Sequence, residues 1–544
     1  MFRILSEYPI ASYAGGLAIV NHLYFKRYEP RRTAIVQTAV ILLLQPALLP
    51  FVLQRSGSFE MNGVSDVLAA YLTFFTTLAT SIVLYRVSPF HPLTKVPGPV
   101  IFKITKLWRL HLCWKGQQHF ALKALHDQYG PIVRTGPNEI SVTDVDAVKL
   151  VLGSDGLPKG PAFLTGKPVG QPYSLIALKG EARNDRRRVW SRGFTSEAIK
   201  EYQEIVVKKG ALLGEGLVAR SNSEVDLLQW LNCFSYVFIL SSIVLSVLKR
   251  LMYFRRFDFM AEMMFGEDTD MLKHGKDTLG AMDVISNGVW SNECFSHIPW
   301  FTYLATFLPS VAHNGQKLMH FAVGWCTRRM QNGAERKDLW YHLTDEAGHE
   351  KERPSQAVVA SDAILAIVAG SDTTSTAMAN FFWCLMAHPE TYKKVREEVD
   401  REYPPGTDPL LDTSRHASMK YLTACLFIDE GTQVYVPPWG VHLNPNNFSP
   451  SPEAFTPERW LDEAKEDPSR ILKAEAFIPF SYGPANCIGK SLAKLEMMMV
   501  LTMLLQKFDF EFAKGFGWEE WPDRKIDGFV TKSEPLKVVV RLRA

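Results

Sequence analysis

A single cysteine, Cys487, ends a loop interrupted by glycine and proline, directly before an apolar helical pattern that begins near Lys490. The first turn of a helix offers unpaired N–H groups and partial positive charge, and both stabilise a thiolate. Phe480, Gly483 and Gly489 complete the spacing F-x-x-G-x-x-x-C-x-G, and we expect Gly489 to let the backbone approach the sulfur closely. Chance produces this spacing in about two of a thousand chains of this composition. The pattern favours an iron-binding thiolate over the inert buried hydrophobe that a lone cysteine usually is.

A polar patch interrupts the long apolar helical pattern at residues 355–387. Its sequence, AGSDTTSTA at residues 369–377, consists of small and hydroxyl-bearing residues. Such residues are poor in helix interiors because they lower helix propensity and compete for backbone hydrogen bonds. The polar residues therefore indicate either a functional site or a structural feature. The structural alternatives are a helix kink and a cluster of polar groups that are hydrogen-bonded to one another.

Together these two stretches resemble the cytochrome P-450 family, the haem-thiolate monooxygenases, in its membrane-bound fungal type. The resemblance runs from near Pro97 to the C-terminus. It implies that Cys487 is the axial ligand of the iron of haem b, where thiolate electron donation favours O–O cleavage. It also implies that Gly370 leaves room for O2, and that Asp372 and Thr373 relay protons towards it.

Weaker similarities concern the rim of the haem. The stretch RRRVWSRGF at residues 186–194 resembles the helix that approaches the haem propionates, with Arg187 and Trp190 as candidates, although a solvated basic face fits equally well. The stretch PERW resembles an element whose arginine, here Arg459, belongs to a structural ion network. The family usually has a cation two residues before the thiolate, where this chain has Ala485.

The elements that must position these residues are mostly helical. Periodic apolar patterns predict helices at residues 116–129, 196–217, 355–387, 389–402 and 490–507. Short β-like segments lie at residues 133–142, 433–436 and 536–542. We therefore expect a mainly α fold with small β-sheets, which the resemblance implies is the cytochrome P-450 fold, preceded by N-terminal transmembrane helices.

The N-terminal part differs in kind from the rest. Residues 33–53 and 64–85 are nearly free of charge and about long enough to cross a bilayer, and a weaker apolar run lies at 9–25. Residues 1–87 are accordingly predicted to be a membrane anchor of two to three helices, with buried core helices as the alternative. Basic residues fall on alternate sides of the runs, which favours a cytosolic catalytic domain. Four prolines in residues 88–99 predict a hinge before the catalytic domain at 100–544.

Composition limits the class of protein further. The chain has 544 residues, 47% hydrophobic and 22% charged, which is typical of a folded protein. A net charge of +3 is too small to indicate nucleic-acid binding. Its seven cysteines form no C-x-x-C pairs, so the sequence suggests neither a disulfide framework nor a zinc site, and it fits a reducing compartment.

Two segments depart from the family. Residues 237–257 are an apolar and then basic segment that resembles an insert, and a fourth membrane segment or a buried helix is the alternative. The family has a Glu-x-x-Arg pair after the stretch that matches residues 419–426, and it is not found there, because FIDEGTQVYV follows Leu426 directly. We interpret the insert as translated intron and the junction after residue 426 as a deletion.

The resemblance implies a monooxygenase on the endoplasmic reticulum membrane that inserts one oxygen atom from O2 into an apolar organic substrate, such as a terpenoid or a xenobiotic. NADPH would supply electrons through a reductase partner, and membrane lipid would surround the anchor. One alternative is a haem-thiolate isomerase or dehydratase, against which the intact Asp372–Thr373 pair argues. The other is a chain that no longer binds haem because the Glu-x-x-Arg pair is missing.

Overall fold

The computed structural model describes residues 9–28, 35–154, 156–165, 171–235, 263–264, 281–299, 301, 326–327, 329–331, 333, 337–426, 437–528 and 530–543. Helices dominate these residues, and the strands form four small antiparallel sheets. The predicted fold class, mainly α with small β-sheets, is confirmed.

The N-terminal part of the chain contains α1 (Pro9–Arg27), α2 (Ile35–Arg55) and α3 (Val64–Val87). The body of the chain begins with α4 (Val100–Ile104), α5 (Leu107–Trp114), α6 (Gln118–Tyr129), α7 (Val145–Leu152), α8 (Gly180–Arg192), α9 (Ser196–Val218), α10 (Leu227–Ser235) and α11 (Ala281–Ser296). It continues with α12 (Leu339–Leu343), α13 (Gln356–Ala387), α14 (Pro389–Glu402), α15 (Lys420–Cys425), α16 (Pro438–His442), α17 (Asp462–Lys465) and α18 (Lys490–Lys507).

The strands pair locally or close the C-terminal end of the body. They are β1 (Ile132–Gly136), β2 (Glu139–Val142), β3 (Glu224–Asp226), β4 (Phe448–Ser449), β5 (Ile471–Leu472), β6 (Phe508–Phe512), β7 (Ile526–Gly528), β8 (Val530–Lys532) and β9 (Lys537–Leu542). The largest sheet has the order β3-β9-β6, and β1-β2, β4-β5 and β7-β8 are two-stranded.

Helices α2 and α3 are each long and apolar enough to cross a membrane. Helix α1 packs along α3, where Ala14, Ala18 and Phe74 are fully buried. Helix α13 also has the length and apolarity of a span, but Val359, Ala363 and other side chains of α13 belong to the main hydrophobic core. Its apolarity therefore comes from burial in protein. The N-terminal helices are compatible with a membrane anchor, as predicted from their hydropathy.

The proline-rich segment at residues 88–99 forms turns between α3 and α4. Hydrogen bonds tie its flanks to the body: Arg86 Nη1 donates to the carbonyl of Ile104 at 2.6 Å, and Arg134 Nη2 donates to the carbonyl of Arg86 at 3.1 Å. The connection between the N-terminal helices and the body is thus held by buried or half-buried guanidinium groups. Its role as a hinge stays a prediction.

Helices α9, α13 and α18 form the centre of the body. Leu213 on α9, Phe381 on α13 and Val500 on α18 are all fully buried in one continuous core. Of the predicted strands, residues 433–436 lie outside the described residues, and so does the proposed insert at 237–257.

Candidate functional site: a thiol-lined cavity between two core helices

The loop that carries Cys487 is closed by its own backbone. The N–H of Cys487 donates to the carbonyl of Phe480 at 2.8 Å, and the N–H of Asn486 donates to that of Gly483 at 3.1 Å. Helix α18 starts three residues after the cysteine, with Gly489 as its N-cap. The sequence pattern thus folds into a tight turn that presents the sulfur at a helix N-terminus.

The two glycines of the motif serve different purposes. Gly483 has φ +68°, and a Cβ there would lie 2.0 Å from the carbonyl oxygen of Leu152. Only glycine fits this position. Gly489 has φ −80°, a backbone conformation that any residue adopts. A Cβ at Gly489 would lie 3.9 Å from the sulfur of Cys487, which is an ordinary contact distance.

Cys487 is exposed, whereas the other six cysteines are buried. Its exposed surface opens onto an interior cavity that it lines, so the thiol is accessible and yet largely desolvated. Desolvation raises the pKa of the Cys487 thiol, and the N–H groups of Gly489 and Lys490 and the charge of Arg187 act to lower it. The turn thus offers the sulfur the donors that a thiolate needs.

The cavity has a volume of about 380 Å³ and lies between α13 and α18. Apolar side chains such as Phe163, Leu365 and Phe480 make up most of its wall. Among the described residues that line it, four are cationic and one, Glu496, is acidic: the cations are Lys159, Arg183, Arg187 and Lys494. An apolar cavity with an excess of positive charge fits an apolar ligand that carries carboxylates.

Arg187 connects this charge to the cysteine loop. Its Nη1 donates to the carbonyl of Asn486 at 2.8 Å, and its Nη2 donates to Oδ1 of the same residue at 2.5 Å. The Nε of Arg183 is buried without a hydrogen-bond partner among the described residues. Burial, together with the charges of Arg183 and Arg187, lowers the pKa of Lys159 to about 8. An anionic partner would satisfy all three cations, and the two propionates of haem b match this requirement.

Trp190 was predicted to approach the haem propionates. Its ring lines the cavity, but its Nε1 donates to Oδ2 of Asp362 at 3.0 Å. The buried Asp362 also accepts the N–H of Leu175 at 3.0 Å. The indole N–H therefore joins α8 to α13 in this structure. Asp362 was not predicted as a site residue, although an aspartate inside an apolar helical run is a visible signal.

On the α13 side of the cavity, Gly370, Thr373 and Thr374 contribute to the wall. The Oγ1 of Thr373 donates to the carbonyl of Ala369 at 2.9 Å. Such a bond to the preceding turn is typical of threonine in helices. Asp372 lies on α13, and its side chain is outside the described part of the structure.

A buried carboxyl group behind this patch was not predicted. Glu496 on α18 is 2% exposed, and its Oε1 lies 3.3 Å from Oγ1 of Thr374 and 3.4 Å from Oγ of Ser235. Burial raises the pKa of Glu496 to about 8. The group is therefore mostly protonated at neutral pH. A glutamate within the methionine-rich stretch of α18 was the signal that could have indicated it.

Arg459, for which the resemblance implies an ion network, also makes hydrogen bonds to backbone carbonyls. Arg459 Nη2 donates to the carbonyls of Ser451 at 2.9 Å and Ala454 at 3.2 Å. The spacing Glu-x-x-Arg does occur at Glu398 and Arg401 on α14. However, Glu398 accepts the N–H groups at the start of α15, and the Arg401 side chain is 63% exposed, 3.8 Å from Glu398. This pair caps a helix and does not replace the one expected after residue 426.

Comparison with known proteins identifies the relatives of this chain. The family model described as Cytochrome P450 matches residues 92–427 and 426–540. Tryprostatin B 6-hydroxylase of Aspergillus fumigatus is 28% identical over 571 residues, which cover 97% of this chain and 96% of that protein. Cytochrome P450 67 of Uromyces fabae is 28% identical with 96% and 98% coverage, and cytochrome P450 monooxygenase notG' of Aspergillus versicolor is 28% identical with 87% and 86% coverage.

Proposed function

This chain belongs to the cytochrome P450 family and is a monooxygenase, and from this premise we propose that its substrate is an apolar organic molecule of fungal secondary metabolism. One observation carries the proposal: the single exposed cysteine lies in the wall of an apolar cavity whose charged groups are mostly cationic. Terpenoids and foreign aromatic compounds both match such a wall. The names of the relatives favour a natural product, since one of them hydroxylates tryprostatin B.

Haem b, when bound, supplies the iron at which O2 is activated with electrons from a redox partner. We propose Cys487 as the iron ligand, together with Phe480, Gly483 and Gly489 as the turn that holds it. The N–H groups of Gly489 and Lys490 would keep negative charge on the sulfur. Arg187, together with Arg183 and Lys159, would bind the haem carboxylates. Trp190 would contribute its ring to the wall.

Gly370 and Thr373 would form the opposite side of the site. In this structure the Thr373 hydroxyl donates to Ala369, so it must rotate about χ1 to donate a proton into the cavity. We propose Asp372, the residue before it, as the group that returns this proton. The apolar lining would exclude water except along this polar patch, which would favour transfer of oxygen to substrate over release of reduced oxygen.

Membrane anchoring places the site where apolar substrates dissolve. Helices α2 and α3 are compatible with spanning a bilayer. We propose that they anchor the protein in the endoplasmic reticulum with the catalytic domain in the cytosol, where an NADPH-dependent reductase supplies electrons. The basic residues Lys26 and Arg27 at the end of α1 support this orientation.

We also propose that the printed chain contains two errors of the gene sequence, an insert at residues 237–257 and a deletion after residue 426. The two stretches matched by the family model meet at residues 426–427, where the sequence departs from the family. Sequencing the transcript tests this proposal. Reads that cross both positions as printed would overturn it.

Turnover with isotopically labelled dioxygen tests the proposed function. Microsomes that contain the full-length protein and a reductase, given NADPH and ¹⁸O₂, should add one labelled oxygen atom to an apolar substrate. A library of terpenoids, indole alkaloids and fatty acids, screened first for binding by the haem absorbance change, supplies the candidates. Product that carries oxygen from water, or turnover without O2, would favour the isomerase or dehydratase alternative.

A further inference from the structure

A second cluster of metal-ligating side chains lies apart from the haem cavity. Cys113 is on α5, Glu293 and Cys294 are near the end of α11, and His297 follows that helix. All four side chains are buried, and the most exposed of them, Glu293, has 3% of its surface accessible to solvent. None of them is among the residues that line the cavity beside Cys487.

Local geometry brings Cys113, Glu293 and His297 together, with Cys294 in contact with Cys113. Glu293 and His297 are four residues apart, so they lie on one side of the end of α11. The next residue, Cys294, meets Cys113 across the contact between α11 and α5. The two cysteines are separated by 181 positions in the chain. Two neighbouring elements thus contribute sulfur, nitrogen and oxygen donors to one point.

Several donor atoms of the cluster lie close together. The sulfurs of Cys113 and Cys294 are 3.3 Å apart, and Nε2 of His297 is 3.7 Å from Oε1 of Glu293. The ligand atoms of Cys113, Glu293 and His297 lie within 4.8 Å of one another, whereas Cys294 is placed by its contact with Cys113. Around a tetrahedral zinc ion two sulfurs are roughly 3.8 Å apart and a nitrogen and an oxygen roughly 3.3 Å, so binding would move these donors by about half an ångström.

We propose that Cys113, Cys294, Glu293 and His297 form a structural Zn²⁺ site that fastens α11 to α5. Thiolate and imidazole ligands with one carboxylate suit zinc better than the hard cations Mg²⁺ and Ca²⁺, which prefer oxygen alone. A divalent cation also balances the charge of ligands that are otherwise costly to bury. Four protein donors leave no open position, which is typical of a structural zinc and not of a catalytic one.

Two cations face the cluster, Arg109 from α5 and Lys106 from the residue before that helix. Both pair with Glu139, at 2.6 and 2.5 Å, so their charge is balanced by that carboxylate. Because thiolates are the form that binds metal, zinc would displace one proton from each cysteine.

The site would fix a contact that aromatic side chains continue. Trp114 on α5 and Trp290 on α11 have ring centroids 4.6 Å apart, directly beside the cluster. Trp290 in turn packs on Gly528 of β7, where an added Cβ would lie 3.1 Å from its ring. Zinc would therefore hold α11 against both the N-terminal helices of the body and the C-terminal hairpin.

Metal analysis of the full-length holoenzyme tests the proposal. Protein expressed with zinc in the medium and dialysed against metal-free buffer should contain about one zinc per chain in addition to the haem iron. Zinc K-edge absorption should show two sulfur ligands at about 2.3 Å and two nitrogen or oxygen ligands near 2.0 Å. Because this measurement needs only the unmodified protein, it decides the question even if the variants below do not fold.

Single variants show whether loss of zinc is specific to the proposed ligands or follows from the loss of any buried thiol. Cys113→Ser and His297→Gln should each lower the zinc content at least tenfold. Cys425→Ser, which removes a fully buried cysteine elsewhere in the core, should leave it unchanged. Holoenzyme without zinc, zinc bound by oxygen ligands alone, or a Cys113–Cys294 disulfide found by mass spectrometry without reduction would each overturn the assignment.

Discussion

Arg187 donates two hydrogen bonds to Asn486, the residue immediately before Cys487, while its side chain also lines the cavity. One guanidinium group thus holds the cysteine turn and faces the position proposed for the haem carboxylates. Replacement of Arg187 should therefore affect both the cysteine turn and the binding of haem.

Arg187→Ala should therefore reduce haem occupancy. Hydrogen bonds to charged groups contribute about 1.5–3 kcal/mol each, so the loss of this group should weaken haem binding at least tenfold. The measurement is the haem-to-protein ratio after purification. Arg188→Ala is the matched control, because Arg188 is 56% exposed and pairs with Asp185 and Glu350 away from the cavity. Equal haem content in the two variants would show that Arg187 does not bind the haem.

Gly483→Ala should prevent the cysteine turn from forming. The new methyl group would overlap the carbonyl of Leu152 at a φ of +68°, which costs at least about 1–3 kcal/mol. Gly489→Ala meets only ordinary contacts and should fold with nearly unchanged stability. Thermal unfolding followed by tryptophan fluorescence compares the two. A Gly483 variant as stable as the Gly489 variant would contradict the loop geometry.

Asp362→Asn should loosen the contact between α8 and α13. The carboxylate accepts the Trp190 indole N–H and the Leu175 backbone N–H, and it lies 3.5 Å from Nε of Arg186. Loss of its charge in a buried position should lower the free energy of unfolding by about 1–3 kcal/mol. Asp185→Asn, at a position 66% exposed, should change it little. No difference between the two variants would mean that Asp362 is not needed to join the helices.

Glu496→Gln should change how stability depends on pH. An unfolded glutamic acid ionises near pH 4.3, whereas burial raises the pKa of Glu496 to about 8. Between these values the unfolded chain releases a proton that the folded chain retains, so the wild type loses about 1.4 kcal/mol of stability per pH unit as pH rises. Glutamine cannot ionise, so the variant should lack this loss.

Thermal unfolding midpoints from pH 5 to pH 9 check this prediction. The midpoint of Glu496→Gln should exceed that of the wild type by an amount that grows up to about pH 8 and then stays constant. Glu397→Gln, at an exposed position on α14, should follow the wild-type curve. Parallel curves for Glu496→Gln and wild type would show that Glu496 is ionised in the folded protein.

The sequence was sufficient for the elements whose signal is local. Helices α13, α14 and α18 begin and end within one residue of their predicted bounds, because long apolar patterns and a proline at the start of α14 define them. The spacing around Cys487 likewise indicated Gly483, although the reason for glycine there, the carbonyl of Leu152, lies more than 300 positions away.

Contacts between distant segments could not be predicted in this way. Glu496, Thr374 and Ser235 come from three helices, and no local pattern joins them. The same holds for Cys113 and Cys294, because the spacing of the cysteines suggested neither a disulfide framework nor a zinc site. For Trp190 the residue type suggested a haem contact, and no local pattern indicated that its N–H donates to Asp362 on another helix.

The carbon-monoxide difference spectrum of the reduced protein tests the central claim, that Cys487 binds the haem iron. Full-length protein expressed from the sequenced transcript should show the red-shifted Soret band that thiolate ligation gives. Cys487→Ser should lose that band, and Cys425→Ser, which alters a buried cysteine outside the cavity, should keep it. An unchanged band in the Cys487 variant, or a wild-type protein that binds no haem, would contradict the account.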